Sequence, residues 1–372
     1  MSQPVRPSVD LRNLPVAFSL AGLLVAATAL SFSGGFAAGA RSGESARDPS
    51  LQPFSSESIW NTPLGRGAIF QDSSAPETAM LRSENIGGQA SSYSWISGDG
   101  LRIFRQKAGD PLVRWYYDGR SATAPWPNEG ALQHSSFMLR TPPDVEFLGA
   151  DRYTVIVTED AKFAYEVWLG SHDKAANVYR VRYIVGTDLY GPGIARKDHT
   201  SEGIRAFGGS LLGGLIRCNE LDNLSIPHGL AMVLSPTQLK AGHTAADQKV
   251  WPASTTDNDG HNPYSGLVPM GALIAIPPSV NLQRLGLSPE GLALARAYQE
   301  FGGYVVDTAP KTMIIGNAEA GCKPEHIEHL QHDKRKIMQQ LTLVTNNAAS
   351  SPGGPGERLT EPPPPLMKTD HQ

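Results

Sequence analysis

Lys162-Phe163-Ala164-Tyr165-Glu166-Val167-Trp168-Leu169-Gly170 is the stretch that decides how this chain folds. Phe163, Tyr165, Val167 and Leu169 alternate with Ala164, Glu166, Trp168 and Gly170. A period of two puts the two sets on opposite faces of a β-strand. The first set is wholly apolar and is expected to face the core, which leaves Glu166 and Trp168 together on the solvent side. An indole offers a flat apolar platform for a sugar ring, and a carboxylate can act as acid, base or nucleophile at a glycosidic bond. The following segment, 178–185, alternates in the same way, with Arg180 and Arg182 between Tyr179, Val181 and Tyr183. Two arginines on a polar face can bind the carboxylate or sulfate groups of an anionic glycan. The competing reading is a structural ion pair between Glu166 and one of these arginines across the strands.

Outward from this pair, short strand patterns recur at 101–106, 112–117, 152–158, 210–217, 228–234, 272–276, 304–307 and 312–315. Turn residues such as Gly98-Asp99-Gly100 and Gly109-Asp110-Pro111 punctuate them. The chain has 38 Gly and 29 Pro, a usage that favours many short strands over a helix bundle. The expectation is a mainly β fold, a β-sandwich or jelly roll with about two peripheral helices. One helix is read from Ser288-Pro289-Glu290, an N-cap followed by Pro at the first helical position, to the stop at Gly302-Gly303. The other is read from Pro324 to about Gln340, with Ile327, Leu330, Ile337 and Met338 on its apolar stripe.

The N-terminus bears on compartment. Arg6 and Arg12 precede an uncharged apolar run from Pro15 to Phe32, and Ala38-Gly39-Ala40 offers a small-residue cleavage site. Residues 1–40 therefore read as a secretory signal peptide or, if uncleaved, as a signal anchor that is the chain's only membrane contact. Either way the rest is expected to be secreted or periplasmic. Residues 41–53 read as a linker, 54–347 as a single β-rich domain, and the Pro- and Gly-rich 348–372 as a disordered tail. In an oxidising compartment Cys218 and Cys322 are either one disulfide or two buried thiols, and spacing alone does not choose. A net charge of −4 and the absence of a Lys/Arg run argue against a nucleic-acid partner.

A glycosidase needs a second carboxylate, and Asp188 and Asp257 are the candidates, both at expected strand ends or loops. His228, which opens a strand apolar on both faces, is a candidate base or a structural histidine. Trp60 and Trp126 are candidate further sugar platforms, and Asn61 beside Trp60 is placed with the substrate-binding residues. No metal is expected. Asp257-Asn258-Asp259-Gly260 opens like a calcium loop but lacks the downstream Glu, and His326, His329 and His332 do not form a helical zinc signature. No P-loop, dinucleotide-binding glycine motif or nucleophile elbow occurs, so no cofactor is implied.

Ser58-Ile59-Trp60-Asn61-Thr62-Pro63-Leu64, Tyr165-Glu166-Val167-Trp168, His228-Gly229-Leu230-Ala231 and Tyr304-Val305-Val306-Asp307 together resemble a group of secreted bacterial β-rich proteins of unassigned function. The likeness spans most of residues 54–354 and brings no catalytic residues with it. Tyr165-Glu166-Val167-Trp168 also resembles the concave-sheet motif of jelly-roll glycan-active enzymes, which implies a catalytic Glu beside aromatic side chains. The expectation is thus an exported protein that cleaves a polysaccharide, as hydrolase or uronate lyase, with a carboxylate pair on a concave sheet face. The alternatives are a non-catalytic binder of cell-envelope glycan and a structural envelope protein.

Overall fold

The computed structural model describes residues 46–83, 93–98, 100–117, 136–195, 202–258 and 263–367. The signal segment, the first five linker residues, Trp126 and Asp259 lie outside the described residues. Among the described residues the fold is mainly β, with 29% strand against 17% helix, and the strands form three mixed sheets.

The six-stranded sheet runs Tyr93–Ser97, Thr312–Asn317, Leu230–Leu234, Gly303–Thr308, Leu273–Ala275 and Thr342–Leu343 in spatial order. Leu230–Leu234 is buried along its whole length, as befits a segment with no polar side chain. It pairs in parallel with Gly303–Thr308 and antiparallel with Thr312–Asn317. One four-stranded sheet is ordered Ile103–Arg105, Thr154–Val157, Phe163–Trp168, Tyr183–Asp188. The other is ordered Ser136–Arg140, Leu112–Tyr117, Val178–Val181, Ser171–Asp173. The segment 178–185 is therefore two strands, and the chain passes from one sheet to the other at Arg182.

The two long helices form where the sequence puts them. Ser288 accepts a hydrogen bond from Gly291 N at 3.0 Å and caps Pro289–Glu300. Tyr298 on that helix donates to Ile315 O at 2.7 Å, which ties it to the six-stranded sheet. Pro324–Met338 packs against it.

Two segments differ from expectation. Residues 211–214 form turns and Ile216 an isolated bridge to Ala318, rather than the expected strand, because the glycines there accommodate Trp60. A Cβ on Gly213 would lie 2.3 Å from the indole, and Gly214 adopts φ +70°. The expected linker and tail also fold onto each other. Arg47 N donates to Pro365 O at 2.8 Å, and Met367 N returns a bond to Arg47 O at 3.0 Å. The Arg47 guanidinium donates to the carbonyls of Gln52, Pro53, Phe54 and Pro364. Arg358 does the same for Pro63, Pro352 and Gly354. Proline segments carry unpaired carbonyls, and two arginines satisfy them here, so residues 348–367 are held against the domain without a core of their own. Cys218 and Cys322 form a disulfide, with Cα atoms 4.8 Å apart and a sequence separation of 104. Closing a loop of that length stabilises by about 4–5 kcal/mol on the chain-entropy account.

Candidate functional site

Gly303–Thr308 is buried through Val306 and then ends on two polar residues, Asp307 and Thr308. Its register with Leu230–Leu234 shifts between Met232 and Val233, so Val306 is passed over and Asp307 pairs with Val233. An extra residue of this kind re-aims the side chain that follows it. Asp307 and Thr308 line a cavity of about 190 Å³ at the carboxyl end of this strand.

Arg205 lines the same cavity and donates from Nη1 to Asp307 Oδ2 at 3.2 Å. The coil carrying it is anchored by Phe207 N donating to Val306 O at 3.0 Å. A further wall is the turn from Leu148 to Tyr153, closed by reciprocal backbone bonds of 3.1 and 3.0 Å. Gly149 and Arg152 reverse the chain there at φ +67° and +47°. That turn brings Asp151 and Tyr153 to the cavity. Trp168 Nε1 donates to Asp151 Oδ1 at 3.2 Å, and Leu169 N donates to Asp151 O at 2.9 Å. The Arg182 guanidinium lies 5.9 Å from the Trp168 ring centroid.

Acidic groups crowd this opening. Asp257 Oδ1 accepts the hydroxyl of Thr308 at 2.7 Å and that of Tyr264. Burial raises the Asp307 pKa, and the charges of Asp257 and Asp151 add to the rise. Arg205 and the Thr308 N–H, 3.0 Å from Oδ1, pull the other way. The carboxyl is pushed up to about 7. A carboxyl that keeps its proton near neutrality can donate it to a substrate. Burial, then the charges of Asp307 and Asp151, hold the Tyr153 hydroxyl well above its ordinary value. It is thus a donor at neutral pH and a poor base.

The sequence-derived candidates divide. Asp257, Trp168 and Arg182 converge on this region, Asp257 beside Asp307, and Trp168 and Arg182 behind Asp151. Glu166 does not face solvent: it is 0% exposed, and Phe163, assigned to the core, is 47% exposed. Its oxygens accept bonds from Thr187 Oγ1 at 2.9 Å, Leu211 N at 2.9 Å, Ile204 N at 3.2 Å and Ser210 Oγ. Four donors make this the inward face, which alternation alone could not reveal because both faces carry apolar residues. The carboxylate pair on a concave sheet face is accordingly replaced by acids at a strand end and on a loop.

His228 also departs from the role of a base. Nδ1 donates to Gly229 O at 2.8 Å, and Nε2 lies 3.0 Å from a Glu220 oxygen. Burial opposes its protonation, but Glu220 and the Gly229 carbonyl outweigh burial and raise the pKa. With an acceptor at each nitrogen, both ring nitrogens are engaged inside the fold and neither is presented to a substrate. Asp188 Oδ1 accepts Tyr190 N at 2.9 Å and shapes a turn. Trp60 is 2% exposed and packs edge-on to Phe207 and Tyr304. Asn61, 0% exposed, binds the carbonyls of Pro53, Phe54 and Ser55 and accepts from Gln52. Both are structural. Arg180 is exposed on the other four-stranded sheet, 4.9 Å from the Tyr116 ring centroid.

Sequence reading missed Asp307, Arg205, Asp151 and Tyr153. One signal for the first was available: an acid directly after three apolar residues, at the carboxyl end of a strand otherwise buried. Fold and cleft together define a β-rich protein with a carboxylate- and arginine-lined cavity. Comparison with family models, with curated proteins and with solved structures returned no match.

Proposed function

We propose that the protein is an exported glycan-active enzyme that hydrolyses a polysaccharide of the cell envelope or surroundings. The observation that carries this reading is Asp307, a carboxyl pushed up to about 7 in a cavity it shares with Asp151. Asp307 donates its proton to the leaving glycosidic oxygen. Asp151 takes a proton from the attacking water, whose oxygen bonds to the anomeric carbon as the glycosidic C–O bond breaks. Asp257 acts through Asp307, because its negative charge helps to keep that proton in place. Trp168 supports the site as the hydrogen-bond donor that orients Asp151. The apolar N-terminal run supports export.

The test is a screen of the purified protein on neutral and uronate polysaccharides, read by new reducing ends and by unsaturated-uronate absorbance. Asp307→Asn is expected to lower the rate by about 10²–10⁴-fold, the usual contribution of a general acid. Unsaturated product would replace the hydrolase by a lyase. Binding of a glycan with no cleavage would replace the enzyme by a binding protein.

A further inference from the structure

The four-stranded sheet of Ser136–Arg140, Leu112–Tyr117, Val178–Val181 and Ser171–Asp173 carries a second feature, apart from the cavity. On Leu112–Tyr117, Leu112, Arg114 and Tyr116 point outward while Val113, Trp115 and Tyr117 are buried. The partner strands repeat the pattern, with Ser136, Met138 and Arg140 outward on one side and Val178 and Arg180 on the other. Pairing fixes their positions. Arg140 lies opposite Leu112, Met138 opposite Arg114, Val178 opposite Arg114 and Arg180 opposite Tyr116. Arg140, Arg114 and Arg180 are therefore successive diagonal neighbours across three strands. Each diagonal step is about 7–8 Å, so the three charges form a line about 15 Å long.

None of the three has an ion-pair partner among the described residues. Arg114 donates to Ser136 Oγ at 2.9 Å, Arg140 to the carbonyls of Ala108 and Asp110, and Arg180 covers the Tyr116 ring. Those contacts orient the guanidinium groups and leave their charge unbalanced. The one acid these strands contribute to the face, Asp173, stands opposite Val178 and is held through Oδ1 by the amides of Ala175 and Ala176, making no ion pair with Arg180. Leu112 and Met138, 58% and 48% exposed, flank the line with apolar surface. Such a line on a chain of net charge −4 is a local feature rather than general basicity. It also has a direction. Two residues beyond Arg180 stands Arg182, stacked on Trp168, whose indole N–H holds Asp151 at the cavity.

We infer that the outer face of this sheet is a binding track for an acidic polysaccharide, with Arg140, Arg114 and Arg180 pairing to successive uronate or sulfate groups. Sugar rings lie on Tyr116, Leu112 and Met138, and the chain is led past Arg182 toward the cavity. The choice of a glycan among polyanions rests on the function proposed above.

Polygalacturonate is the probe, with dextran, duplex DNA and phosphatidylglycerol vesicles as comparisons. The purified protein is expected to bind polygalacturonate, and to bind it about tenfold more weakly at 200 mM than at 50 mM salt, as release of a few counterions requires. The triple substitution R114Q/R140Q/R180Q is expected to weaken binding at least tenfold, with an unchanged melting temperature because all three side chains are exposed. Unchanged binding in the triple variant overturns the track, and so does dextran binding of equal strength. Equal, arginine-dependent binding of DNA or vesicles overturns the glycan assignment. Cleavage with unchanged binding in the triple variant sinks the track alone. Arginine-dependent binding without any cleavage sinks the hydrolase reading and leaves the track.

Discussion

Glu166 and Asp307 are both carboxyls on strands of the core, and the protein treats them in opposite ways. Glu166 is enclosed, and four donors from two segments converge on it. Asp307 has one arginine and the amide of the next residue, two acidic neighbours and an open cavity in front. A fully satisfied buried carboxyl stitches structure together, whereas one with too few donors and room for a ligand is poised for chemistry. Burial raises the pKa of both, so that shift alone does not tell the two apart. The supply of donors and the space in front do.

The largest expected effect breaks the comparison on the Glu166 side. Glu166→Ala leaves Ser210 and the backbone N–H groups of Ile204 and Leu211 without their acceptor in a site with no access to water, and leaves Thr187 only the Glu202 carbonyl. Each stranded donor costs about 1–3 kcal/mol, less what local relaxation recovers. A loss of roughly 3–5 kcal/mol is expected in urea denaturation, large against the stability of an ordinary domain. A protein of near wild-type stability but no activity would reverse the assignment and return Glu166 to the catalytic list.

The second prediction concerns pH. Asp307 has a folded pKa near 7, above its unfolded value of about 3.9. The folded state then holds this proton more tightly than the unfolded chain. Its contribution to stability is fully present below pH 4 and is lost as pH rises through 7. Activity should fall over the upper part of the same window, since a general acid must be protonated to act. Asp307→Asn is expected to flatten this part of the stability profile measured from pH 4 to 8. Glu166 has the same sign, so Asp307→Asn should reduce the slope rather than abolish it. An unchanged slope would mean that Asp307 is ionised throughout and paired with Arg205 as a structural bridge.

These two carboxyls also mark how far the sequence could be read. Period-two alternation located the strands at 112–117 and 163–168, and the capping signal at Ser288 located a helix start, because each is a local property. Which face of 163–168 turns inward depends on Ser210, Leu211 and Ile204, some forty residues away, and no local pattern encodes that. Arg205, Asp151 and Asp307 meet only through the register of distant strands. Arg205 and Asp151 look like turn or surface residues in their own windows, and Asp307 like the last residue of a strand. The tail escapes a local reading for a related reason: its composition lacks a core, but two arginines distant in sequence satisfy its carbonyls. Trp168 is legible from the alternation of 162–170 and Asp257 from its place in a polar loop, yet the contributions of both at the cavity are indirect.

Trp168 therefore gives the smallest test. As a sugar platform it acts through its ring face, and as a positioning residue through its indole N–H on Asp151. Trp168→Phe keeps an apolar ring and removes the donor. Loss of one hydrogen bond to a charged group is worth about 1.5–3 kcal/mol at most and less at an exposed site such as this. The expected result is a several-fold drop in kcat with little change in KM, since Asp151 would be less well aimed while the ring surface persists. A raised KM with kcat intact would instead make Trp168 a platform and shift the sugar-binding surface outward from the cavity. The response of Asp151→Asn separates the two further. If Trp168 acts through Asp151, adding Trp168→Phe to that variant should cost nothing more, because the two substitutions remove one function.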